Sequence, residues 1–381
     1  MTRLPLEGLI VLEFSQYLSG PSAGLRLADL GARVIKIEHS RKGDAGRRLA
    51  IKNLWTDDNS LLFHAINRNK ESFTADLKNQ HDLDRVKKLI GKADVITNNF
   101  RPGVMAKLGL GYEAVQAINP RIIYAEISGY GKEGPWKDRP GQDLLMQSIS
   151  GLAYTTGNAQ NHPVPFGLSI ADSLCGAQLV QGILASLIRR QKTGKGARVE
   201  ISLLESLLDF QFELLTTYHS SGRQPRRSNI SNGHPLLSAP YGIYASADGY
   251  IAIAMVDLHQ LGKAIDCDAL LKYSPDDSFR HRDEIKQALS AHIATRPSAY
   301  WLKKMHAHDL WAMEVFDWQQ LTEHEGYTCL EMEQTIVNKE NNSIVTTRCP
   351  IRINGERIFS PAPAPQLGEH NEAITNEFLK S

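Results

Sequence analysis

The stretch LIVLEFSQYLSGPSAGLRLADLGARVIKIEH, residues 9–39, decides the fold. It opens on LIVLEF (9–14), a short apolar run rich in β-forming residues, which reads as a buried strand. AGLRLADLGA (23–32) follows as a helix, with Leu25, Leu27 and Leu30 at inward spacing and Gly31 as its stop. RVIKIEH (33–39) is a second strand. Strand, helix and strand in close succession predict two parallel strands joined by a crossover helix.

Between the first strand and the helix lies SGPSAG (19–24), in which Gly20 to Gly24 fits G-x-S-x-G. That pattern marks the nucleophile elbow of α/β-hydrolases, where several strands precede the serine and build the sheet beneath it. Ser22 has one strand ahead of it and Pro21 crowding the turn, so the elbow lacks its context. The segment is not G-x-G-x-x-G either, so the spacing that cradles a dinucleotide is absent. What remains is a tight glycine turn from strand to helix, one that a ligand can approach closely.

Further along, ESFTADL (71–77), ADVITNNF (93–100) and RIIYAEISGYG (121–131) continue the strands, with DLDRVKKLIGKA (82–93) a helix between the first two. About five strands by residue 130 predict an α/β sheet of Rossmann type, covered on both faces. GKEGPWKDRPGQD (131–143) reads as an ordered loop at the carboxyl end of a strand, where such folds place their sites. PFGLSIADSLCGAQLVQGILASLIRRQKTGKG (165–196) carries the clearest helix. Leu174, Ala177, Val180, Leu184, Leu187 and Ile188 follow its period, and a basic, glycine-capped end closes it. ARVEISLLESLLDFQ (197–211) adds a strand and a helix. The texture then changes. HSSGRQPRRSNISNGHP (219–235) is polar and basic, and YGIYASADGYIAIAM (241–255) reads as a hairpin turning at Asp248-Gly249. The simplest division is a large α/β domain from residues 1–215 and 330–381 and a smaller α+β domain from 225–325.

Composition narrows the function. The chain has 43 Lys and Arg against 42 Asp and Glu, which gives no bulk reason to expect nucleic acid or a membrane as partner. The apolar stretch LCGAQLVQGILASLI is interrupted by Gln178 and Gln181 and is short for a membrane span. Cys175, Cys267, Cys329 and Cys349 form no metal-binding spacing and read as reduced thiols of a cytoplasmic protein. Two carboxylates stand out. Asp172 in GLSIADSLCG and Asp143 in PGQDLLMQ each follow a glycine-rich stretch and open an apolar helix. One such Asp is a helix cap. Two in the same half of the chain point to a site, because a carboxylate at the positive end of a helix stays ionised and is a usable nucleophile.

The residues quoted above, together with NRNKES (67–72), NNFRPGVMAKLGLGY (98–112), APYGIYASADGYIAIA (239–254) and PQLGEH (365–370), resemble in order and spacing the class III coenzyme A-transferases. That family includes formyl-CoA transferases, carnitine and bile-acid CoA-transferases, and the related α-methylacyl-CoA racemases. The resemblance implies a large CoA-binding domain built from both chain ends, a small domain, and ring-shaped subunits interlinked as a homodimer. It implies that Asp172 is the catalytic nucleophile, forming an aspartyl-CoA thioester, with Asp143 in support. Acyl-CoA and a small carboxylic acid are then the substrates, with no metal or redox cofactor. It places Ser19, His39, Lys78, Asn99, Phe100, Arg101 and Lys107 near CoA, and Gln16 and Gln142 near the acids. One departure separates transfer from racemisation. The racemases carry a histidine base where this chain has Gln142, and glutamine does not titrate. A second concerns the acid. Formyl-CoA transferases have a run of glycines where this chain has SNISNGHPLLSAP, which argues against formate and oxalate as the natural pair. A racemase of α-substituted acyl-CoA, or a CoA-binding member without activity, are the alternative readings.

Overall fold

The computed structural model describes residues 4–380 and divides into two compact units. Of the described residues, the first unit holds 4–146, 169–207 and 329–380. Its centre is a six-stranded parallel sheet of β1 (Ile10–Glu13), β2 (Arg33–Glu38), β3 (Glu71–Thr74), β4 (Val95–Asn98), β5 (Ile123–Ser128) and β6 (Ala197–Ser202). The strands lie in the order β3-β2-β1-β4-β5-β6. The order reverses between β1 and β4, and the crevice outside the carboxyl ends of the strands at such a switch point is where open α/β sheets bind ligands. Leu12, Ile35, Phe73, Ile96 and Tyr124 are buried in the core of this unit, as the apolar runs require of strands covered on both faces.

The crossover after β1 is helix α1 (Ser19–Asp29), and this corrects the reading of SGPSAG as a turn. The helix begins at Ser19, so the segment forms its first turns. Pro21 is tolerated there because first-turn N–H groups have no intrahelical acceptor to lose. Helix α2 (Gln80–Ile90) follows β3, and helix α3 (Asp143–Ile149) follows the loop beyond β5. Helix α4 (Ile170–Thr193) is longer than the apolar run in the sequence, at 24 residues, and packs against α1, β5 and β6. Among the described residues it alone is long and apolar enough to cross a membrane, and its inward stripe is taken up by these contacts. Its buried face also differs from expectation. Ala171, Cys175, Gly176, Leu179, Val180, Ile183, Leu187 and Arg190 face inward, whereas Ile188 is 59% exposed. The choice is set by α1. A Cβ on Gly176 would stand 2.3 Å from Ser22 Oγ and 2.7 Å from the Ser19 carbonyl oxygen, so only glycine lets the two helices meet this closely.

The second unit holds residues 147–168 and 208–328. An antiparallel sheet of β7 (Gly242–Ala245), β8 (Tyr250–Ile253) and β9 (Ala312–Glu314) runs in the order β9-β8-β7, with the β7–β8 turn at Asp248-Gly249. Helices α5 (Leu258–Ala264), α6 (Arg282–Ile293) and α7 (Ser298–His306) cover one face. Tyr244, Ile251, Leu261, Ile285, Leu289 and Met305 form the core between them. The chain then returns to the first unit, where helix α8 (Asn371–Phe378) is tied to β3: the Asn371 side chain accepts from Thr74 N at 2.8 Å and Ser72 N donates to His370 Nδ1 at 3.2 Å.

Candidate active site

Asp172 is the third residue of α4 and is half-buried. The N-cap residue of α4, Ser169, makes no side-chain cap bond, and the capping is done from elsewhere. Asp143 Oδ1 accepts from Ala171 N at 2.7 Å and from Asp172 N at 3.2 Å. The Asp143 carboxylate therefore satisfies two first-turn donors of α4, the work an N-cap side chain ordinarily does. Asp143 is delivered by the loop after β5, whose ends close on each other. A Cβ on Gly141 would stand 2.7 Å from Gly129 Cα, so both ends of the loop need glycine. Tyr130 OH donating to the Pro140 carbonyl at 3.3 Å closes the same loop.

Burial pushes the pKa of Asp172 up from its ordinary 3.8 to about 6, and the neighbouring Asp143 carboxylate adds to the rise. The Ser19 hydroxyl, in the facing first turn of α1, draws it back down. Burial likewise pushes the nearby Cys175 thiol up to about 12, leaving it an inert core residue. Ser22 Oγ donates to the Ser19 carbonyl at 2.8 Å, a local bond within α1.

The segment from β1 to α1, which carries Gln16 and Ser19, is fixed by buried charge. Lys36 Nζ donates to Glu13 Oε1 and to the Ser15 carbonyl, both at 2.8 Å. Lys70 Nζ donates to Glu13 Oε2 at 2.9 Å and to the Pro21 carbonyl at 2.8 Å. Tyr17, held at φ 64°, donates its N–H to Asp44 Oδ1 at 3.1 Å. Asn99 completes the frame by accepting from Gln16 N at 2.8 Å and donating to the Gln16 carbonyl at 2.7 Å. Burial opposes the charge on both lysines. On Lys36 the acids Glu13, Asp44 and Glu38 outweigh it and raise the pKa, whereas Lys70 is left lowered to about 8. Gly24 belongs to the same construction, because a Cβ there would strike the Glu13 carboxylate. The sequence did signal this network. Glu13 and Lys36 interrupt apolar strands, and a charge in a strand buried on both faces needs a partner.

The structure brings Ser19, Asp143 and Asp172 together, and Gln16 with Asn99. His39 follows β2, Lys78 follows β3, and Asn99, Phe100, Arg101 and Lys107 follow β4. Because these strands are parallel neighbours, all of these segments leave the same edge of the sheet. His39, Lys78, Arg101 and Lys107 are exposed, and Phe100 is half-buried against the core. Gln142 is exposed, and its Oε1 accepts from Leu144 N at 3.2 Å at the start of α3. Sequence reasoning missed the part played by Asp143 across 29 residues of chain and the Ser19 hydroxyl facing Asp172, since neither has a periodic signal.

The chain matches the model of CoA-transferase family III over residues 6–371. It is 33% identical to an acetyl-CoA:oxalate CoA-transferase of Acetobacter aceti, covering 98% of this chain and 96% of that protein. It is 31% identical to a mouse succinyl-CoA:glutarate CoA-transferase, covering 99% and 87% of the two chains. Among solved structures, a CAIB/BAIF family protein from Brucella suis superposes with a TM-score of 0.86 at 30% identity, covering 99% of this chain and 100% of that one.

Proposed function

The chain belongs to CoA-transferase family III, and on that premise we propose that it exchanges CoA between carboxylic acids through a thioester on Asp172. An Asp172 oxygen attacks the thioester carbonyl of the donor acyl-CoA, the C–S bond breaks, and CoA thiolate leaves a mixed anhydride. The thiolate then attacks the Asp172 carboxyl carbon, and the donor acid departs with one oxygen that was Asp172's. The acceptor carboxylate attacks the aspartyl-CoA thioester, and the same two steps run in reverse. Each step exchanges one anion for another, so no net proton is gained or lost.

The single observation that carries this reading is that Asp143 caps the first turn of α4 and stands beside the Asp172 carboxylate. Asp172 is left with a carboxylate that burial and Asp143 make more basic than usual. With a pKa of about 6 it is about nine-tenths ionised at pH 7, and the remaining basicity favours attack on carbonyl carbon. Asp143 and the Ser19 hydroxyl position and tune it. His39, Lys78, Arg101 and Lys107 meet the phosphates at the nucleotide end of CoA, since exposed cations along one edge suit an anionic chain. Asn99 and Phe100 line its path, and Gln16 and Gln142 meet the acids. The first unit is the CoA-binding domain. Exposed apolar residues such as Ile188, at 59%, support assembly as an interlinked homodimer. The protein works in the cytoplasm on a small carboxylic acid.

Replacing Asp172 with Ala tests the reading. The variant folds, binds CoA and exchanges none between acids. Turnover near that of the parent removes the proposal.

A further inference from the structure

The second unit contains a cavity of about 590 Å³ between the segment around residues 223–229 and the start of α6. Five arginines line it, Arg223, Arg226, Arg227, Arg280 and Arg282, against two carboxylates, Asp283 and Glu284. The walls are fixed by part of this charge. Arg227 donates to the carbonyls of Thr156 and Asn161, each at 2.7 Å. Arg282 donates to the carbonyls of Arg226 at 2.7 Å and Pro235 at 2.9 Å, and Lys286 donates to Ser228 Oγ and the Ser231 carbonyl. The carboxylates are also engaged. Asp283 Oδ1 accepts from Asn229 N at 2.8 Å, and Glu284 lies 3.2 Å from His281 Nδ1.

That leaves three exposed guanidinium groups, those of Arg223, Arg226 and Arg280, that make no side-chain hydrogen bond or close ion pair among the described residues, with Asp277 acting on Arg280 through its field alone. Positive charge accumulates on a rim already held in shape. Its effect reaches Arg282, whose pKa is lowered chiefly by burial, with Asp283 opposing the fall and Arg226 adding to it. Phe279, stacked against the Arg282 guanidinium at 5.2 Å, and Leu236 supply an apolar wall beside the cations. Guanidinium forks with no hydrogen-bonded acceptor of their own match the oxygens of phosphate or carboxylate. A phosphate puts up to about two charges and three acceptor oxygens on one centre, which a monocarboxylate does not. The volume falls in the range of small-molecule sites.

We propose that this cavity binds a small phosphate-bearing molecule, with Arg223, Arg226 and Arg280 on the phosphate or pyrophosphate oxygens and Phe279 and Leu236 against its organic part. The site lies wholly within the second unit and uses none of the residues assigned above to CoA exchange.

Calorimetric titration of the full-length protein with pyrophosphate tests this. The parent binds it, and the double variant Arg226→Ala/Arg280→Ala binds it roughly tenfold or more weakly, as loss of charge-assisted hydrogen bonds requires. The thermal melt of the double variant and its CoA exchange stay those of the parent. A Lys78→Ala/Arg101→Ala variant, altered at the proposed nucleotide end of CoA, keeps the binding. Absence of binding to the parent, equal binding by the double arginine variant, or loss of binding in the Lys78/Arg101 variant overturns the assignment. Glutarate binding as tightly as pyrophosphate overturns the phosphate chemistry.

Discussion

Replacing Asp172 with Asn should remove the chemistry and stabilise the fold, and the size of the gain follows from the site. Folding takes this carboxyl from its ordinary pKa of 3.8 to about 6, by burial first and by Asp143 second. The folded state thus holds a proton more tightly than the unfolded chain, so stability falls as pH rises through that window. Below pH 3.8 both states are protonated and the group costs nothing. Above pH 6 both are ionised, and the gap from 3.8 to about 6 amounts to about 3 kcal/mol of destabilisation. Asn keeps the shape and an oxygen for the Ser19 hydroxyl but carries no charge. Urea midpoints of parent and variant from pH 4.5 to 7.5 are the assay. The variant gains stability toward neutral pH, up to about 3 kcal/mol at pH 7, and the difference shrinks toward pH 4.5. A variant no more stable than the parent at pH 7, or a difference that does not change with pH, refutes the reasoning.

Asp143→Asn keeps an oxygen for the Ala171 and Asp172 N–H groups but removes the charge that helps raise the Asp172 pKa. In the parent, kcat/KM for CoA exchange rises with pH along a limb near pH 6, and in this variant the limb moves to lower pH; a pH–rate profile reads the shift. Gly176→Ala drives a methyl against Ser22 Oγ and the Ser19 carbonyl and costs about 1–3 kcal/mol, measured by denaturant unfolding, with a fall in exchange rate as Ser19 is displaced from Asp172. Ser22→Ala removes a bond internal to α1, and its exchange activity stays near that of the parent, whereas a dead enzyme with normal CoA binding would restore Ser22 as a nucleophile.

The sheet was legible because parallel strands buried on both faces are largely apolar, and 9–14, 33–39 and 121–131 each hold a β-forming apolar core, interrupted by charges such as Glu13, Lys36 and Glu38 that are paired in the fold. The start of α1 was not, since glycine, proline and serine signal turns more often than helix. Here the glycines serve close approach: Gly24 clears the Glu13 carboxylate and Gly20 clears the Ser15 side chain. The buried face of α4 was legible only in part, with Val180 and Leu187 buried but Ala177 and Ile188 exposed, for a related reason. Leucine spacing favoured one stripe, but the contact with α1 selected the stripe that bears Gly176. At the site, sequence gave both aspartates as residues opening helices. It did not give their division of labour, because the acceptor for the α4 N–H groups comes from a loop 28 and 29 residues away in sequence. The cations along the sheet edge were found by resemblance, whereas the ion network under Gln16 and Ser19 was signalled only by Glu13 and Lys36 interrupting apolar strands, since the pairings themselves run between segments.

The oxygen atoms of Asp172 test the central claim most directly. In the proposed cycle the acceptor acid gives one of its oxygens to Asp172 at each turnover, as the donor acid takes one away. The parent is turned over with an acyl-CoA donor and an ¹⁸O-labelled acceptor from a screen beginning with glutarate and oxalate, then digested. Mass spectrometry of the peptide holding Asp172 should show one heavy oxygen and, after repeated turnover, two. Full exchange of CoA with no label in that peptide would contradict an aspartyl-CoA route through Asp172.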